Sequence, residues 1–92
     1  MPKYFRDKIA DHYLYFTAKC IVEAMHVHAS DKKLTEADSA KFFVKADGTA
    51  VLQKRGDLTE SQISTIEKFI KANYVDMYKT WKDFGGGEFY EK

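Results

Sequence analysis

Residues 58–84, LTESQISTIEKFIKANYVDMYKTWKDF, carry apolar residues at three- and four-residue steps, and no other feature constrains the fold as tightly. Ile63, Ile66, Ile70, Tyr74, Met77, Trp81 and Phe84 share one stripe of an α-helix. Such a stripe has to be buried against something, and the short alternating segments of the first half supply a small β-sheet. Thr59 as N-cap with Gln62 three residues on makes a capping box, and Leu58 with Ile63 makes the hydrophobic staple that sets the approach angle. A continuous helix to Phe84 would be about 38 Å long. A chain of 92 residues folds into a body only roughly 30 Å across. The helix overshoots that body, which predicts two helices with a break near Ala72-Asn73, where Asn73 takes a left-handed turn or caps a second helix with Asp76 in its first turn. Gly85-Gly86-Gly87 stops the helical region, and residues 85–92 form a tail whose order the sequence leaves open.

The sheet is read from alternation. In HYLYFTA, from His12, Leu14, Phe16 and Ala18 face one side while Tyr13, Tyr15 and Thr17 face the other. KCIVEA is ambiguous between strand and helical turn. In MHVHA, Met25, Val27 and Ala29 oppose His26 and His28. SDKKLTEADS reads as a polar loop. In AKFFVK, Ala40, Phe42 and Val44 point inward, and Asp47-Gly48 signals a tight hairpin with positive φ at both residues, returning through TAVLQKR to Gly56. The expectation is a single α+β domain over 1–92. It comprises a lead-in (1–11), a small antiparallel sheet of three or four strands (12–56), two C-terminal helices packed on it (58–84) and the tail. Hydrophobic residues make up 45% of the chain, enough for one core and too many for a disordered protein.

Charge and cysteine usage narrow the function classes. Fifteen Lys and Arg against fourteen Asp and Glu leave +1, which argues against strong non-specific polyanion binding. A single cysteine, Cys20, excludes an internal disulfide framework. The opening MPKYFRDKIADHYLYF lacks the apolar core and cleavage site of a signal peptide, and no apolar run is long enough to span a bilayer. A soluble cytoplasmic protein is expected.

Two clusters carry candidate chemistry. His26 and His28, two apart on a strand, project from one face roughly 7 Å apart and could bind a divalent metal or a phosphate, with Cys20 and His12 as further ligands. The spacing matches no zinc signature, and hydrogen-bonded imidazoles on a partly wet face are the plainer reading. Lys41, Phe43 and Lys45 share the outward side of their strand, with Lys54 across the hairpin. Interleaved cations and aromatics suit single-stranded nucleic acid, whereas lysines guarding a sheet edge are the plainer account. No catalytic residues and no resident cofactor emerge: there is no glycine-rich phosphate loop, and Cys20 has no identifiable base.

The order of aromatic strand, His-x-His-Ala strand, Asp-Gly hairpin, Gly-x-Leu at Gly56 to Leu58, and Tyr-Lys-x-x-Trp at residues 78–81 resembles a small bacterial family, domain of unknown function 4160. The resemblance spans roughly residues 12–84. It implies a gene neighbourhood of toxin-antitoxin type, hence a protein partner. Members commonly carry a further histidine and one or two prolines just before His-x-His. Here that segment is KCIVEAM, so a three-histidine site of the family would lack its first member, leaving His26 and His28 as the residues carried over. A non-enzymatic interaction module, antitoxin-like or an accessory subunit, is the leading expectation. A metal-dependent enzyme at His26 and His28, and a nucleic-acid-binding sheet through Lys41, Phe43, Lys45 and Lys54, are the alternatives. Oligomeric state is not legible.

Overall fold

The computed structural model describes residues 3–16, 23–31 and 39–90. Four strands, β1 (Tyr13–Tyr15), β2 (His26–Ser30), β3 (Ala40–Val44) and β4 (Ala50–Lys54), form an antiparallel sheet in the order β1-β2-β3-β4. One helix, α1 (Glu60–Asp83), follows. Cys20, Ala18 and most of the ambiguous and polar-loop stretches fall outside the described residues.

Alternation fixes the faces. The pairs Leu14–Ala29, Val27–Phe42, Ala29–Ala40 and Val44–Ala50 lie on the side that carries the core, and Ile63, Ile66, Ile70, Met77 and Trp81 of α1 are buried against it. The N-terminus of α1 is the expected capping box: Thr59 Oγ1 accepts from Gln62 N at 3.2 Å, and Gln62 Oε1 accepts from Thr59 N at 2.9 Å. Leu58 and Ile63 are both buried, as a staple requires. At the other end, Gly85 N donates to Lys82 O and Gly86 N to Trp81 O, with Gly85 at φ +84°, the paired bonds of a Schellman stop.

Two expectations are corrected and one open point is filled in. First, α1 does not break at Ala72-Asn73. Asn73 Nδ2 donates to Phe69 O, four residues back, at 2.9 Å, so its side chain is satisfied inside the helix instead of capping a new one. At 1.5 Å per residue α1 is about 36 Å long, and both chain ends pack against it. Phe5 of the lead-in meets Phe69 edge-on at 5.0 Å, and Phe89 stacks on Tyr78 at 4.0 Å.

Second, the tail is docked as far as Tyr90. Trp81 Nε1 donates to Gly87 O at 2.7 Å, Met25 N to Glu88 O at 2.9 Å, and Tyr90 N to Val44 O at 2.9 Å. Buried backbone and indole groups that need partners thus find them in the tail.

Third, the Asp47-Gly48 hairpin has positive φ at Gly48 but not at Asp47. Gly48 N donates to Lys45 O and Lys45 N to Thr49 O, a longer turn closed by one left-handed residue. Asp47 Oδ1 accepts from Thr49 N at 2.9 Å instead, which holds the Asp47 carboxyl below the usual carboxylate range.

The tight turn with two left-handed residues sits where no glycine marks it. Ala10 and Asp11 have φ of +51° and +63°, and Ile9 and His12 exchange both backbone bonds across them. Ala10 O is held by His12 Nδ1 at 2.7 Å and Gln62 Nε2 at 3.4 Å. Left-handed alanine is strained, so Ala10→Gly is expected to raise unfolding free energy by about 0.5–1 kcal/mol, after allowing for the freer unfolded chain. Urea midpoints at constant slope test it.

Candidate functional site

On the sheet face away from the core, one row of side chains crosses all four strands: Tyr15 opposite His28, His28 opposite Lys41, Lys41 opposite Lys54. A second row holds His26, Phe43 and Val51. The two candidate clusters of the sequence are therefore neighbours on one surface. A register shift between Lys41 and Phe42 places both Gln53 and Lys54 across from Lys41. This β-bulge turns the end of β4 and adds Gln53 to the row. His28, Lys41, Gln53 and Lys54 line a cleft of about 420 Å³ on this face.

The histidines are not partly wet. His26 and His28 are 0% and 3% exposed, their rings 5.2 Å apart and perpendicular. Neighbouring rings cover them: Tyr15 stacks on His28 at 5.6 Å, while Phe43 and Trp81 meet His26 at 5.8 and 5.5 Å. His26 Nδ1 faces Ala24 O at 2.8 Å, so that nitrogen carries the proton and donates, and Nε2 is the basic atom. His28 Nδ1 lies 3.1 Å from Ser39 Oγ. Metal ligation by either ring would go through a buried Nε2. Among the described residues no group of three or more His, Cys, Asp and Glu is placed to hold a metal ion. His12 does not join the pair. It precedes β1 on the core-facing phase of the alternation and reaches Asp57 Oδ1 at 3.2 Å, just before α1. Cys20 lies outside the described residues.

Of the cationic set, Lys41 and Lys54 line the cleft, whereas Lys45 lies past the end of β3, in a bridge to Tyr90. Lys41 Nζ is 2.8 Å from Glu23 Oε1 and 5.0 Å from the centre of the Phe43 ring. One face of Phe43 is taken by Tyr90, stacked at 4.3 Å. Glu23 and Gln53 belong to this surface and were missed in the sequence. Glu23 sits in the ambiguous KCIVEA stretch, and no residue type announces a bulge.

The Lys41 ammonium, hydrogen-bonded to Glu23, holds that carboxyl below the ordinary glutamate range against an opposing push from burial. A carboxyl whose folded value is depressed contributes stability at neutral pH and loses it as pH falls through the lowered value. Glu23→Gln is thus expected to flatten the acid limb of the stability profile between the ordinary glutamate range and that lowered value. Paired urea titrations of wild type and variant at neutral and acid pH measure this.

The family described as Domain of unknown function (DUF4160) matches residues 12–82, which takes in all four strands and α1 as far as Lys82. No curated protein and no solved structure matches the chain.

Proposed function

Because the chain belongs to the family Domain of unknown function (DUF4160), we propose that it is a non-enzymatic bacterial interaction module, an antitoxin-like or accessory subunit that binds the product of a neighbouring gene in the cytoplasm. The observation that carries this reading is the cleft at the β4 end of the outer sheet face. It presents Lys41 and Lys54 beside Gln53 and His28, donors suited to a carboxylate or another oxyanion on a partner. Buried His26, His28 and Tyr15 form the rigid floor behind it, which favours holding a group in place. No helix of the described residues is long and apolar enough to cross a membrane.

Co-expression with the adjacent gene product followed by gel filtration tests the proposal. A complex is expected, and Lys41→Glu combined with Lys54→Glu should weaken it by about tenfold or more, with affinity falling as salt rises. No complex with the native neighbour, or one indifferent to both charge reversals and salt, overturns it.

Single-stranded nucleic acid is the second reading, favoured by Lys41 poised over the Phe43 ring. It requires binding that weakens steeply with salt and is lost in Phe43→Ala with Lys45→Ala. Tyr90 over Phe43 weighs on the side of a protein partner, because a base would have to displace it.

A further inference from the structure

Val44 N donates to Met25 O at 3.0 Å and Val44 O accepts from Tyr90 N at 2.9 Å, so neither group is turned toward Ala50, its partner on β4. One residue on, Lys45 N does reach across, to Thr49 O at 2.9 Å. Bonded and non-bonded pairs alternate along an antiparallel ladder. Val44–Ala50 and Phe42–Leu52 are therefore the non-bonded pairs, and the N–H and C=O groups of Ala50 and Leu52 point away from β3. β4 is the last strand of the sheet, so these groups face outward with no further strand beside them among the described residues.

Both sides of this edge carry lysines. On the outer face it borders the cleft with Lys54 and with Lys41, whose ammonium is paired with Glu23 Oε1 at 2.8 Å. On the helix side it borders a groove of about 250 Å³ whose far wall is Ser64, Lys68 and Lys71, one stripe of α1, with Glu67 the acidic group there. Side chains of a strand laid along β4 would point alternately to the two sides and so meet lysines on each.

We propose that β4 takes an extended acidic segment of a partner protein as a fifth strand. Its backbone pairs with Ala50 and Leu52, and its carboxylates reach alternately into the cleft and the groove. This rests on the interaction-module reading and specifies the partner's conformation and charge. A second copy of this chain is the poorer occupant, because its own Lys54, Lys68 and Lys71 would come up against the same charges. The bulge at Gln53 and Lys54 confines the pairing to the stretch before it.

The probe is a capped Glu-Val peptide of repeating Glu-Glu-Val-Val, whose paired glutamates fall on opposite faces of a strand, with a Lys-Val peptide of repeating Lys-Lys-Val-Val as counterpart. The Glu-Val peptide is expected to bind, to slow hydrogen exchange at the Ala50 and Leu52 amides, and to weaken as salt rises. The Lys-Val peptide should not bind. Ala50→Pro removes an outward N–H without touching the β3–β4 ladder, at the first residue of a strand, where proline is tolerated. It should reduce affinity by about tenfold. Should that variant misfold by circular dichroism, amide protection in wild type carries the result. No binding of the Glu-Val peptide, binding without protection at those two amides, equal binding of the Lys-Val peptide, or self-association through β4 would each overturn the proposal. A native neighbour that binds wild type and folded Ala50→Pro equally sinks the fifth strand and spares the interaction module; a neighbour that binds neither sinks the module itself.

Discussion

Trp81→Ala is expected to remove about 3–5 kcal/mol of stability, the usual cost of deleting a buried indole, from a total of about 5–14 kcal/mol for a chain of this length. The side chain is fully buried where three parts of the chain meet. Phe16, just past β1, contacts it edge-on at 5.3 Å, His26 at the start of β2 lies 5.5 Å away, and its Nε1–H is bonded to Gly87 O at 2.7 Å. Truncation leaves a cavity between sheet and helix and strips the tail of a tether. Two readouts separate these effects. Urea unfolding followed by far-ultraviolet circular dichroism reports the whole loss. Limited proteolysis in residues 85–90 reports release of the tail, which should come at lower denaturant than global unfolding. Trp81→Phe keeps most of the apolar packing while orphaning the Gly87 carbonyl, so about 1–3 kcal/mol is expected for it. An alanine variant within 1 kcal/mol of wild type, which is below the normal range for such a site, would mean that this corner of the core is not packed as described.

Those same contacts explain what the sequence could and could not disclose. The helix was legible because Ile63, Ile66, Ile70, Met77 and Trp81 repeat at helical steps, and the strands because Val27, Ala29, Phe42 and Val44 alternate with residues of the other face. Periodicity is local, and local signals survive folding intact. The break at Asn73 is absent because its side-chain amide is satisfied by Phe69 O inside the helix, and both chain ends pack along the unbroken helix. Phe5 packs on Phe69 near the middle of the helix and Phe89 on Tyr78, but nothing in their own neighbourhood says so. The burial of His26 and His28 was hidden for a related reason. Alternation sets both opposite Val27, yet whether they are wet depends on Tyr15, Phe43, Trp81 and, over Phe43, Tyr90. The bulge that brings Gln53 beside Lys54, and the left-handed turn at Ala10-Asp11, have no compositional mark. Alanine in particular disfavours the conformation it is held in there. What links the candidate surface to function is therefore partly written in long-range contacts that composition and spacing do not encode.

Gly56→Ala is expected to cost about 2–5 kcal/mol, from left-handed strain together with overpacking. Gly56 has φ +59°, and a Cβ there would lie 2.6 Å from Ala40 N and 3.0 Å from Ser39 C. Both are backbone atoms at the start of β3, so no rotamer change relieves the clash; either the link between β4 and α1 or the β3 strand itself must move. That movement would also disturb Lys41, next to Ala40, and with it the basic cleft. Gly85→Ala supplies the control. Its φ of +84° is equally left-handed, but a Cβ on it has nothing within 4 Å. Only conformational strain then applies, partly offset by the stiffer unfolded chain, and about 1 kcal/mol is expected. The difference between the two variants, read from urea midpoints, isolates the steric part. Equal losses would mean that the β4–α1 link does not run against the β3 backbone. A large loss confined to Gly56→Ala, accompanied by weaker partner binding in folded protein, would show that this link helps hold the cationic row in register.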